Sequence, residues 1–177
     1  MREQVRDFDL RLGRPPDAAE LAKLRLALRG ASGTRAEADG EFLDRCRSWM
    51  AKHLQSDTWR CWVIERDQVL MGSLWLQLVQ KIPNPSTEPE FYAYITSFFV
   101  VESQRGKGLG SQLLKHALAW CDEAGVHDII LWPTEQSRHL YERFGFTQPT
   151  DLLKRVGNDA QHPSRPLSKS NVPLSEK

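Results

Sequence analysis

Gln104 to Gly110, reading Gln-Arg-Gly-Lys-Gly-Leu-Gly, most narrows what this chain can fold into, because it joins a strand-like apolar stretch (Phe91 to Val101) directly to a helical one (Leu109 to Ala124). The first N–H groups of a helix have no partner inside it, the helix dipole is positive at that end, and closely spaced glycines let a phosphate approach the main chain. A cation at a helix N-terminus is unfavourable by about 0.3–1 kcal/mol unless an anion meets it. Arg105 and Lys107 therefore point to a polyanionic ligand. Two familiar phosphate loops do not fit. A nucleotide P-loop needs Gly-Lys followed by Ser or Thr, whereas Lys107 is followed by Gly108. A dinucleotide fingerprint needs Gly or Ala three residues beyond a Gly-x-Gly pair, and the two pairs here lead to Ser111 and Leu113. Taken alone, the heptapeptide also reads as a surface turn with two exposed basic residues.

A chain of 177 residues with 40% hydrophobic content suits one domain with a substantial core. The formal net charge is +1, from 24 basic and 23 acidic side chains, so no global field argues for nucleic acid or a membrane surface. Cys46, Cys61 and Cys121 are odd in number and widely spaced, with no nearby Cys or His partner, which fits reduced thiols better than disulfides or zinc. His116, His127 and His139 lack ligand spacing as well, and no metal is expected. Met1 to Leu12 has no signal-like apolar run and no stretch is long enough to span a bilayer, so a cytoplasmic protein is expected. Beyond Lys154 the chain turns to proline, serine and glycine, which predicts a single domain over residues 1–154 and a disordered tail over 155–177.

Within the domain, Val5 to Leu12 alternates as a charged edge strand would. Pro15, Pro16 and Asp17 open a helix whose apolar residues Leu21, Leu24, Ala27 and Leu28 keep one face until Gly30. After a Gly30 to Gly33 loop, Phe42, Cys46, Trp49, Met50 and Leu54 predict a second helix from about Ala36 to His53. Trp59 to Glu65 and Val69 to Val79 form a hairpin around Arg66-Asp67-Gln68. Lys81 to Glu90 carries Pro83, Pro85 and Pro89 and cannot continue a ladder, and Phe91 to Val101 resumes strand composition. Leu109, Leu113, Ala117 and Trp120 line one side of the next helix, which Gly125 ends. Val126 to Trp132 reads as a strand buried on both faces, and Thr134 caps a helix running to Phe144.

Arg105-x-x-Gly108-x-Gly110 resembles the acyl-coenzyme A pyrophosphate loop of the GNAT superfamily of N-acetyltransferases. Leu140 to Phe146, Leu-Tyr-Glu-Arg-Phe-Gly-Phe, is similar to that family's Leu-Tyr-x-x-x-Gly-Phe signature. Both motifs stand in the family's order, with a helix and a strand between them. The resemblance covers Trp59 to Phe146 well and the earlier helices by topology only. It implies an α/β (α+β) GNAT fold: a mixed, mostly antiparallel central sheet flanked by helices, whose fourth and fifth strands splay apart at the acetyl-CoA site. It further implies that main-chain groups of Arg105, Gly106, Lys107, Gly108, Leu109, Gly110 and Ser111 hold the pyrophosphate. Phe98, Phe99 and Val100 then offer the main-chain groups that grip the pantetheine arm and polarise the acetyl carbonyl. Tyr141 aligns with the family tyrosine that protonates the departing thiolate. The glutamate that some relatives place early in the fourth strand falls on Tyr94 here, so it does not carry over. Glu90, Glu88, His53 or a water chain could deprotonate the acceptor, and none is chosen.

The resemblance thus implies transfer of an acetyl group from acetyl-CoA to a primary amine by direct attack in a ternary complex, since no cysteine lies near either motif as an acyl carrier. The acceptor is a small-molecule or peptide amine. The alternatives are a non-catalytic acyl-CoA sensor of the same fold and a transferase for a bulkier acyl group. The six tryptophans read mostly as core. Acceptor specificity is expected from Gly30 to Arg35 and from Lys81 to Glu90. Thr147 to Arg155 has little apolar material for a last strand, which leaves that strand short, missing or supplied by a neighbouring subunit, as in a homodimer.

Overall fold

A computed structural model describes residues 3–5, 7–30, 38–83, 85, 87, 89–149 and 152–153. The predicted tail, most of the Gly30 to Arg35 loop and Glu88 lie outside these residues. Among the described residues six strands form one sheet in chain order: β1 (Glu3–Val5), β2 (Phe8–Leu12), β3 (Trp59–Arg66), β4 (Val69–Gln80), β5 (Phe91–Val100) and β6 (Ile129–Leu131). Every neighbouring pair is antiparallel except β5 and β6, which run parallel because α3 (Leu109–Glu123) crosses over between them. The β3–β4 hairpin closes through Asp67 and Gln68, both at positive φ (52° and 63°), the two-residue geometry whose twist matches that of paired strands.

Alternation along the strands builds two cores. Trp62, Ile64, Leu74, Leu76 and Ile95 face α3, where they meet Leu109, Leu113, Leu114, Ala117 and Cys121. These helix positions recur at the spacing read from the sequence, and each fully buried leucine contributes about 1.5–3 kcal/mol. On the other face, Cys61, Val63 and Trp75 meet Leu21 and Leu24 of α1 (Ala18–Gly30) and Met50 of α2 (Asp39–His53). At that face Arg11 on β2 binds Asp17 through paired contacts of 2.7 and 2.9 Å and Glu65 on β3 at 2.6 and 3.1 Å. This largely buried triad ties the sheet to the start of α1.

The N-terminal strand is two strands rather than one. Pairing of Val5 with Phe8 folds the segment into a hairpin on the sheet's outer edge. Nor is Val126 to Trp132 buried on both faces. Only Ile129, Ile130 and Leu131 are in β6, all half-buried, and among the described residues β6 is the other edge. Thr134 caps a single 3-10 turn, which leads into α4 (Arg138–Glu142) and ends at Gly145 with φ 85°. Residues 147–149 and 152–153 form no strand. No helix among the described residues is long and apolar enough to cross a membrane.

Candidate active site

The site begins with a defect in the sheet. Opposite Ser73 and Trp75 of β4 stand Phe99 and Thr96 of β5, so three steps on β5 match two on β4. The extra residue is a bulge at Ser97, held at φ +48°, a conformation that costs an L-residue about 1–2 kcal/mol. Gly72 makes room for it, since a Cβ there would lie 2.8 Å from the Phe99 carbonyl oxygen. Thr96 and Ser97 consequently both face the α1/α2 side, while Phe98 turns to the α3 side and Phe99 back again. On the opposite edge β6 pairs with β5 only from Ala93 to Ile95. Phe98, Phe99 and Val100 therefore lie past the end of that ladder, on the splayed part of the strand.

The glycine loop sits at the end of this splay. Gly106 and Gly108 both have positive φ (76° and 82°), and Gly108 stands at the N-cap of α3 with no side chain capping it. The first bond of the helix runs from the Gln112 N–H to the Gly108 carbonyl at 3.1 Å. The N–H groups of Leu109, Gly110 and Ser111 thus stay outside the helical ladder, in the concave arrangement that suits an anion. Gly110 starts α3 beside the Phe98 ring, where an added Cβ would make ordinary van der Waals contact at 3.4 Å. Lys107 Nζ donates to Gln104 Oε1 at 2.8 Å. Arg105 folds back, its Nε donating to the Val100 carbonyl at 3.2 Å and its guanidinium lying over the Phe99 ring.

Tyr141, 7% exposed, comes in from α4 on the α3 side, its ring centroid 6.2 Å from that of Phe98 and 5.7 Å from that of Phe146. Burial pushes its phenol up to about 12, against a smaller opposite pull from a hydrogen bond with Ser137. The group stays protonated across the physiological range. Burial likewise raises the Cys61 thiol, and it pushes Cys121 up to about 11, so neither is poised as a nucleophile.

Across the sheet, on the α1/α2 side, lies a cavity of about 370 Å³. Arg25 of α1 and Phe42, Arg45 and Trp49 of α2 form one wall, and Trp59, Trp75, Tyr94 and Ser97 form the sheet side. The indoles brace one another: Trp49 meets Trp59 edge-on at 4.9 Å and Trp75 at 5.8 Å. His53 stacks on Trp49 at 3.8 Å, and its Nδ1 lies 2.7 Å from the Trp49 carbonyl, as a ring N–H donor. Glu90 is exposed and is not part of the cavity wall.

The predicted residues therefore gather along one line: loop, α3 N-terminus, splayed β5 end and Tyr141. The aromatic cavity is what sequence reasoning missed. A tryptophan on a strand has the same pattern whether it fills a core or lines a hollow, and Trp49, 41% exposed, reads as one more residue of an amphipathic face. Tyr94, noted only where a glutamate was missing, is a wall of that hollow. Of the segments expected to govern specificity, none of the described residues of Lys81 to Glu90 lines it.

Residues 29–146 match the model of the acetyltransferase (GNAT) family. No curated protein sequence gives a significant match. Among solved structures, the chain resembles a GCN5-related N-acetyltransferase from Ralstonia eutropha JMP134, at 25% identity and TM-score 0.70, over 84% of this chain and 98% of that one. A predicted acetyltransferase from Clostridium acetobutylicum, solved with acetyl-CoA, superposes at TM-score 0.73 with 17% identity, over 88% and 99% of the two chains. The aminoglycoside N-acetyltransferase AAC(6')-Iy, solved with CoA, does so at 0.64 with 16% identity, over 89% and 97%.

Proposed function

Because the chain belongs to the GNAT acetyltransferase family, we propose that it transfers the acetyl group of acetyl-CoA to a primary amine by direct attack within a ternary complex. One observation carries the reading. The splayed end of β5, the uncapped glycine entrance to α3 and Tyr141 share one side of the sheet, and the bulge at Ser97 opens the same strand to a cavity on the other. Two neighbouring structures that hold acetyl-CoA or CoA support the choice of donor.

In this reading the free amide hydrogens of Leu109, Gly110 and Ser111, with their flanking glycines and Lys107, hold the pyrophosphate. Arg105 releases Val100 and swings to the phosphates, freeing a carbonyl for a pantetheine amide. The acceptor nitrogen enters from the cavity and attacks the thioester carbon. The C–N bond forms as the carbonyl pair moves to oxygen, where a main-chain N–H on the Phe98 to Val100 segment stabilises the charge. The C–S bond then breaks, its electrons stay on sulfur, and Tyr141 donates a proton to the thiolate. Burial at that point raises the basicity of the leaving thiolate as it raises the phenol, which keeps the two close enough for transfer. The amine gives up its proton to water, and water returns one to the Tyr141 phenolate.

Cys46 lines the cavity, so an acetyl-cysteine intermediate is the step this reading excludes. The test is a panel of amines with acetyl-CoA, followed by thiol release, beside intact-mass measurement without acceptor. Amine-dependent release with no acetyl adduct on the protein is expected. Binding of acetyl-CoA with no release above hydrolysis for any amine would instead favour the sensor role.

A further inference from the structure

The cavity is built for an acceptor with a particular charge. Arg25 is half-buried in its wall, and no carboxylate pairs with it among the described residues. Burial and the neighbouring Arg29 guanidinium both act against its charge. In the same wall Trp75 lies against Trp49 and Trp59, its indole Nε1 sealed from the cavity and without a hydrogen-bond partner. Among the described residues no acidic side chain lines the space. Polyamines and amino sugars with several ammonium groups need such carboxylates, and an unpaired guanidinium repels them. The indoles, set edge-on and tilted to one another, offer faces that suit a flat apolar body, and an aromatic cage for a bare ammonium is disfavoured by Arg25 beside it.

We propose that the acceptor is an aryl monoamine carrying a carboxylate, its ring between the cavity tryptophans, its carboxylate on Arg25 and its nitrogen at the Ser97 bulge. This rests on the acetyl-transfer reading above and adds the substrate class. Arg25 on α1 and Ser97 at the bulge of β5 line the cavity from separate elements. Carboxylate and amine therefore belong at opposite ends of the acceptor rather than on one carbon.

The experiment compares para-(aminoethyl)benzoate, phenethylamine and spermidine as acceptors for the full chain. A preference of about tenfold to a hundredfold in kcat/KM for the carboxylate-bearing amine over phenethylamine is expected, the range of one charge-assisted hydrogen bond, with spermidine slowest. Arg25→Gln collapses that preference towards one and Arg25→Lys restores part of it, while CoA affinity, measured alongside, reports that each variant is folded. Para-ethylbenzoate, which has no amine, quenches tryptophan fluorescence saturably without acetyl-CoA, and CoA does not displace it. Equal use of phenethylamine, faster use of spermidine, or displacement by CoA overturns the inference while leaving acetyl transfer standing. Saturable quenching by para-ethylbenzoate with no thiol release for any amine does the reverse: it removes acetyl transfer and keeps the aryl-carboxylate site.

Discussion

Replacing Tyr141 by phenylalanine removes one oxygen and leaves the ring packed between Phe98 and Phe146. The ring packing that holds the residue in place is kept, so Tyr141→Phe folds. A general acid is worth about 10²–10⁴ in rate, and kcat should fall by that factor while acetyl-CoA affinity holds. The same hydroxyl governs alkaline stability. Its phenol titrates near 12 when folded and near about 10 when unfolded, so the native state holds the proton longer. That contribution is complete below about pH 10 and is lost as pH rises through the folded value. The loss is on the order of 1 kcal/mol at pH 11 and a few kcal/mol overall. Urea midpoints of both proteins at pH 8 and pH 11 read the difference, because Tyr141→Phe lacks this part of the decline. A variant whose kcat stays within about threefold sinks the acid role, and equal alkaline sensitivity sinks the argument from burial.

Gly72→Ala forces a methyl group against the Phe99 carbonyl, which sits 2.8 Å from the new atom, so a loss of about 1–3 kcal/mol in denaturant unfolding is expected, together with weaker acetyl-CoA binding by calorimetry. Gly108→Ala has open space around its Cβ, and its cost comes from φ 82° alone: about 1–2 kcal/mol, read as a lower Tm and a several-fold higher Kd for CoA. Arg11→Ala strands two part-buried carboxylates and should cost a few kcal/mol, towards the lower end of the about 3–5 kcal/mol of a fully buried pair. Burial acts to raise Asp17, but hydrogen bonds from Arg11 and the Arg14 N–H outweigh it and hold the carboxyl below its usual range. Wild-type stability from this carboxyl is therefore present above its unfolded value and lost as pH falls through the folded one, and acid titration of Arg11→Ala should lack that part of the loss.

What the sequence made legible follows from local chemistry. The spacing of Leu109, Leu113, Leu114, Ala117 and Cys121 marks the buried face of α3, and Gly125 ends the helix at φ 68° because glycine alone adopts that backbone at no cost. The loop is legible for the same reason, since Gly106 and Gly108 occupy positive φ. Ser97 does so without being glycine, and nothing in Thr-Ser-Phe-Phe announces a bulge; the register against β4 and the space at Gly72 impose it. The N-terminal hairpin was hidden likewise, because its turn near Asp7 carries no glycine or proline. The cavity depends on pairs far apart in sequence. Trp75 opposes Thr96 and Gln77 opposes both Trp59 and Tyr94, so the aromatic wall exists only once three strands are in register.

That register also explains why one residue governs both substrates. A regular strand would send Ser97 to the α3 side and Phe98 to the cavity, putting an aromatic ring where the acceptor nitrogen must pass and removing the packing partner of Tyr141. The bulge shifts the alternation by one, so that hydroxyl side chains at Thr96 and Ser97 line the acceptor side while Phe98 backs Tyr141 on the donor side. Ser97→Val tests this directly: a β-branched residue resists φ +48° by about 1–2 kcal/mol, which favours straightening the strand. If the bulge aligns both sides, this change impairs acceptor KM and acetyl-CoA Kd together. An effect confined to the acceptor would mean that Ser97 acts only as a lining side chain and that the strand's geometry is set elsewhere.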